Sequence, residues 1–129
     1  MVKGTKAKGS AAERELLDIL WENGFAVIRA AGSGSTSHDA CDLIAGKNGK
    51  SLAVEVKACI NSIQYISKEQ MHELLTFSTA FGATPYVAVK WTRKGWSIIE
   101  ATKLQTQGKY FGVKQSQMTP LEEWLKFSL

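Results

Sequence analysis

The clearest pattern of apolar and polar positions runs from Asp42 to Lys57, which reads Asp-Leu-Ile-Ala-Gly-Lys-Asn-Gly-Lys-Ser-Leu-Ala-Val-Glu-Val-Lys. Two apolar runs flank Asn48-Gly49, a dipeptide suited to a two-residue type I′ turn. Such a turn sets Lys47 opposite Lys50, Ile44 opposite Ala53 and Asp42 opposite Glu55. Directly opposed residues share a sheet face, with β-carbons about 4.5–5.5 Å apart. Strand alternation adds Lys57 to the Glu55 face. It sends Leu43, Ala45, Leu52, Val54 and Val56 to the other face, which has the composition of a core.

Elsewhere the apolar period is helical. Ser10 to Asn23 reads as a helix capped by Ser10 and ended by Gly24, with Leu16, Leu17 and Leu20 as its apolar stripe. Ser67 to Phe81 reads as a second. Ser67 and Gln70 form its capping box, Met71, Leu74, Leu75, Ser78 and Phe81 share a face, and Gly82 ends it. Thr119-Pro120-Leu121-Glu122 has the order of a third helix start, with Leu121, Trp124 and Leu125 as its apolar face. Strands are expected at Phe25–Arg29, Pro85–Trp91 and Trp96–Glu100. Residues 58–66 read as irregular or extended, and residues 105–117 as loop. Trp21, Trp91, Trp96 and Trp124 are expected mostly in the core, with one available to an interface. The order of elements implies one α/β domain over residues 1–129, a mixed central sheet flanked by helices.

The chain has 129 residues, 44% hydrophobic and 22% charged, as expected for one globular core. It carries no apolar run of membrane-spanning length and no signal-peptide pattern, so the expected location is cytoplasmic and no membrane is involved. A net charge of +4 with pI near 9.1 is compatible with a nucleic-acid partner without requiring one. Cys41 and Cys59 are the only cysteines. In the hairpin register they point to opposite faces, which argues against a disulfide.

Charge changes the picture of the hairpin. Asp42, Glu55 and Lys57 converge at one end, and opposed carboxylates destabilise each other unless neutralised. A divalent cation would neutralise them, and oxygen ligands suit Mg²⁺ or Mn²⁺. The competing reading is a plain charged strand face, against which Ile44 and Ala53 on the same face weigh. Glu13 is open to two readings: the partner of Ser10 in a capping box, or a carboxylate reaching toward the metal. Residues 1–9, with Lys3, Lys6 and Lys8 and no acid, read as a flexible basic arm. Residues 30–38 are rich in Gly and Ser. They read either as a plain flexible loop or as a hydroxyl-rich loop contacting phosphates, without P-loop spacing.

Asp42 followed by Glu55-Val-Lys57 resembles the PD-(D/E)XK nuclease superfamily. Lys8-Gly-Ser-Ala-Ala-Glu-Arg14, Gly24-Phe-Ala-Val-Ile-Arg29, Ser33-Gly-Ser35, Asp42 with Glu55-x-Lys57, and Lys68-Glu-Gln70 occur in the order found in archaeal Holliday junction resolvases. The resemblance implies a restriction-endonuclease-like nuclease fold. It also implies metal carboxylates at Asp42 and Glu55, an acidic first-helix residue near the metal at Glu13, and a catalytic lysine at Lys57. A functional serine lies in the loop, matched best by Ser33, with Ser35 the alternative. Family members are Mg²⁺-dependent homodimers that cut four-way DNA junctions. Cys41 stands where the superfamily has proline, a position that shapes the backbone before Asp42.

The expected activity is therefore resolution of Holliday junctions by paired symmetric nicks. The alternatives are a related nuclease acting on another DNA structure, or an inactive junction-binding paralogue. Lys3, Lys6, Lys8, Arg14, Arg29 and Ser35 are the candidate DNA contacts. The apolar faces at Met71–Phe81 and Leu121–Leu125 are candidates for the dimer contact.

Overall fold

The structure, a computed structural model, describes residues 2–30 and 38–127. Its centre is the hairpin of β2 (Leu43–Lys47) and β3 (Lys50–Cys59). Asn48 and Gly49 both adopt positive φ, 53° and 79°, as a type I′ turn requires. The register pairs Lys47 with Lys50, Ile44 with Ala53 and Leu43 with Val54, as the alternation implied.

Among the described residues, six strands form the main sheet in the order β1-β2-β3-β5-β6-β9. β1 (Ala26–Arg29) lies antiparallel to β2. β5 (Thr84–Trp91) runs parallel to β3, and β6 (Gly95–Glu100) and β9 (Thr119–Pro120) extend the far edge antiparallel. The parallel pair needs a crossover, supplied by β4 (Ile63–Ser67) and α2 (Lys68–Phe81). Ser67 and Gln70 close the capping box of α2, and Gly82 ends it at φ 86°.

One sheet face is covered by α1 (Val2–Glu22) and α3 (Leu121–Phe127). Leu16, Leu20, Phe25, Val27, Leu43, Ala45, Leu52, Val54, Val56 and Trp124 pack there. Full burial of a side chain such as Leu16 or Leu20 is worth about 1.5–3 kcal/mol. On the other face, Ala53, Cys59, Ile66, Met71, Leu74, Val87 and Val89 pack under α2 and a small second sheet. Asp42, Glu55 and Lys57 therefore sit on a face whose continuation is core.

Several expectations need correction. The first helix begins at Val2, so Ser10 lies inside it and caps nothing. Its lysines and alanines favour helix, and only Gly4 and Gly9 weaken the stretch read as an arm. Residues 105–117 are not loop. β7 (Gln105–Gln107) and β8 (Tyr110–Lys114) join β4 in the second sheet, ordered β4-β8-β7. Thr119 and Pro120 are strand, and the last helix starts at Leu121. Cys41 and Cys59 lie in the same core cluster, not on opposite faces, because the backbone bends at Asp42 before β2 begins. Both are free and buried. Trp21 and Phe81 are exposed, whereas Trp91 and Trp124 are buried. No helix among the described residues is long and apolar enough to cross a membrane.

Candidate active site

Asp42 stands at the bend that leads into β2. Its backbone N–H donates at 3.1 Å to the carbonyl of Val54, the residue already paired with Leu43, so the strand bends there out of the hairpin register. The Val56 N–H donates to Asp42 Oδ2 at 2.8 Å, which fixes the carboxylate against β3. Glu55 and Lys57 follow on the same strand face, two residues apart. Lys57 Nζ lies 3.7 Å from Glu55 Oε2, near enough for attraction and outside hydrogen-bond distance. Both side chains are mostly buried.

The pair is electrostatically strained. Burial, and after it the neighbouring Asp42 carboxylate, push the Glu55 carboxyl up to about 8. Lys57 opposes this, while Glu73 on α2 adds to it. Burial also raises the Asp42 carboxyl, the Val56 N–H holds it down, and Glu13 repels it. The adjacent Cys41 thiol is pushed up to about 12, chiefly by burial and then by Asp42. It is an inert core thiol that donates to Leu43 O at 3.3 Å.

Glu13 reaches this neighbourhood from α1, but its carboxylate is turned to β1. Arg29 Nε donates to Glu13 Oε1 at 2.7 Å, and Arg29 Nη2 donates to Ser10 Oγ at 3.0 Å. Ser10 and Glu13 both accept from Arg29 instead of forming a capping box with each other. Two residues on, Glu15 ties α1 to the far strands. Lys90 Nζ donates to Glu15 Oε1 at 2.7 Å and Trp96 Nε1 donates to Oε2 at 2.6 Å. This anchor is absent from the sequence reading, since its partners lie 75 and 81 residues away.

A divalent cation fits this donor set. Two partly buried carboxylates repel each other with a lysine close by but not bonded, and hard oxygen ligands suit such an ion. Among the described residues, no three His, Cys, Asp or Glu side chains gather as a ready-made cage. Glu13 is withheld by Arg29. Ser33 and Ser35 lie outside the described residues, as do the side chains of Lys3, Lys6 and Lys8. Arg14 is exposed on α1, one residue from Glu13. Of the two apolar faces considered for a dimer, Met71, Leu74, Leu121 and Trp124 are buried within the chain's own core. What stays outside on α2 is Phe81, stacked on Phe77 with ring centroids 5.6 Å apart.

Comparison with known proteins agrees with this fold. The profile described as archaeal Holliday junction resolvase (Hjc) matches residues 4–128. The chain belongs to the archaeal Holliday junction resolvase family. It is similar to the crossover junction endodeoxyribonuclease Hjc of Archaeoglobus fulgidus, at 40% identity over 111 residues, 86% of this chain and 82% of that protein. The Hjc of Methanocaldococcus jannaschii is 41% identical over 108 residues, 84% of this chain and 77% of that protein. A solved structure of Archaeoglobus fulgidus Hjc, titled a Holliday junction resolvase from an archaeal hyperthermophile, aligns with a TM-score of 0.84 at 34% identity. That alignment covers 91% of this chain and 99% of the other.

Proposed function

We propose that this chain is a divalent-metal-dependent endonuclease that resolves four-way DNA junctions by paired, symmetric nicks. The observation that carries the reading is the convergence of Asp42 and Glu55, two partly buried carboxylates with raised pKa beside Lys57. Family membership supplies the substrate: the relatives are named crossover junction endodeoxyribonucleases.

Asp42 and Glu55 would hold the cation, with the Val56 carbonyl as a further oxygen. Mg²⁺ is the physiological choice and Mn²⁺ a substitute. When bound, the ion supplies a water of lowered pKa and neutralises charge on the phosphoryl oxygens. Val56 N–H keeps the Asp42 carboxylate in one orientation, so that ligand is pre-set. Lys57 orients the attacking water and offsets negative charge as the phosphorus becomes five-coordinate. Arg29 is a phosphate contact. Engaging DNA would draw it from Glu13 and leave that carboxylate free to join the metal. Ser33, or Ser35 in its place, would meet the phosphate near the scissile bond. Lys3, Lys6, Lys8 and Arg14 would hold the DNA arms, contacts that position the duplex without reading bases.

One chain holds one Asp42, Glu55 and Lys57 set, whereas two opposed strands must be cut. A two-fold homodimer supplies the second set and matches the junction's symmetry. The outward side of α2, with Phe81 stacked on Phe77, is the part of the proposed contact that remains unburied in the single chain.

The test is cleavage of four-way, flap and linear DNA, with and without Mg²⁺. Cutting of the four-way substrate alone, and only with metal, is expected. Preference for a flap or linear duplex would make it a related nuclease of another specificity. Binding of junctions without cutting would make it an inactive paralogue.

A further inference from the structure

The face that carries Glu55 and Lys57 leads into a second polar site. Cys59 follows Lys57 by two residues on that face, about 6.5 Å along β3. There the turn after β3, the turn after β5 and the end of β8 surround a cavity of about 520 Å³. Its lining includes Lys94, Lys114, Asn61, Ser62 and Trp91, and no Asp or Glu. Neither lysine is in an ion pair among the described residues.

The walls are tied together. Thr92 donates to the Cys59 carbonyl through its backbone N–H at 3.0 Å and through Oγ1 at 3.2 Å. Gln115 Nε2 donates to the Lys94 carbonyl at 3.4 Å, joining β8 to the turn after β5. The Cys59 thiol lies 3.5 Å from the carbonyls of Asn61 and Ile63, which steadies the turn after β3. Trp91 is 3% exposed. Among the described residues, its indole N–H is the one buried side-chain polar atom without a hydrogen-bond partner. Buried donors are nearly always satisfied, and Trp91 lines this basic cavity, so an acceptor held there is a candidate partner for its N–H.

We propose that this cavity is a phosphate subsite that takes a backbone phosphate of the DNA, on the strand side of the cleavage site beyond Lys57. The proposal rests on the junction-nuclease reading above. Lys94 and Lys114 supply positive charge with no competing acid. Asn61 and Ser62 supply neutral donors, and the Trp91 N–H is met directly or through one water. Such a site reads no base. It fixes how far the DNA extends past the carboxylate pair and so sets the register of the scissile bond.

The experiment has two readouts on the full-length protein carrying Asp42→Asn, which prevents cutting during binding. The first is junction affinity as a function of salt. Replacing Lys94 and Lys114 together with Gln should weaken binding several-fold and flatten the slope of log affinity against log salt by about 0.9, the value for one duplex phosphate. Replacing Lys103 and Lys126, exposed and outside the cavity, should leave the slope unchanged. The second is the indole N–H resonance of Trp91, identified by its loss in Trp91→Phe. Junction DNA should shift it in the parent and not in the Lys94/Lys114 variant.

An unchanged slope in the Lys94/Lys114 variant, an equal loss in the Lys103/Lys126 control, or an unmoved Trp91 signal with junction bound would overturn the subsite alone. Inorganic phosphate moving that signal while junction DNA leaves it in place would make the cavity a free-anion site, and the DNA assignment would fall. Failure of the parent to bind junction DNA at all would overturn the functional reading, and the subsite with it.

Discussion

Arg29 Nε donates to Glu13 Oε1 at 2.7 Å, an ion pair between β1 and α1 that closes across sixteen residues at the rim of the Asp42 carboxylate. Glu13 raises the Asp42 pKa and Arg29 lowers it, so the pair is electrically part of the site. A merely structural pair and a catalytic one differ in what their loss does. Glu13→Gln keeps a neutral acceptor for Arg29 and should cost about 1 kcal/mol of stability or less, as a partly exposed ion pair would. Junction cleavage should fall roughly 10–100-fold, the range for groups that support a metal site. Urea unfolding and single-turnover cleavage on the same preparation separate the two. A stability loss with full activity would leave Glu13 as a strut for β1.

Without metal, the Glu55 carboxyl should make folding pH-dependent in an unusual direction. Its ordinary value is 4.5, and burial followed by Asp42 raises it to about 8 in the folded chain. Between those values the folded state holds a proton that the unfolded state has released. Stability must therefore fall as pH rises through that window. In excess chelator, the melting temperature of the wild type should drop from pH 5 to pH 8, and Glu55→Gln should flatten the drop. Adding Mg²⁺ at pH 8 should restore wild-type stability and leave Glu55→Gln unaffected. Parallel pH curves for the two proteins would show that Glu55 is not held protonated.

The hairpin that carries these carboxylates was legible because two independent signals agree on it. Asn48-Gly49 fixes the turn, and strict alternation fixes which residues face each other. Together they place Asp42 against Glu55 before any tertiary contact is known. Helix α2 was legible for the same reason, with Ser67, Gln70 and Gly82 marking both ends.

What escaped reading depends on partners far along the chain. β8 buries the adjacent Gly112 and Val113 and exposes Tyr110 and Lys114, a pattern without alternation that does not name a strand until β4 pairs with it. The bend at Asp42 breaks the alternation that was extended to Cys41. Ser10 has the chemistry of a cap, yet its hydroxyl is taken by Arg29, and nothing local forecasts that partner. Lys94 and Lys114 meet around one cavity only because β8 returns beside the turn after β5.

Assembly should depend on the outer side of α2. Phe81 is 54% exposed and stacks on Phe77, an arrangement a lone chain gains little from leaving in water. Phe81→Asp should convert a sedimenting dimer to monomer at micromolar concentration, with the fold retained by circular dichroism. A wild-type subunit paired with Asp42→Asn should nick one strand of a junction and leave the opposed strand intact. An unaltered dimer from Phe81→Asp would move the interface elsewhere, and both strands cut at the normal rate by the mixed dimer would contradict one active centre per subunit.

The central claim is that Asp42 and Glu55 jointly hold the cation on which junction cutting depends. It is tested most directly by single-turnover cleavage of a four-way junction by wild type, Asp42→Asn and Glu55→Gln across a Mg²⁺ titration, with junction affinity measured in parallel. Wild type should cut opposed strands with saturable dependence on Mg²⁺ and not at all in excess chelator. Both variants should bind the junction within a few-fold of wild type and fail to cut it at any Mg²⁺ concentration. Cleavage by either variant at the wild-type rate, or by wild type in excess chelator, would contradict the account.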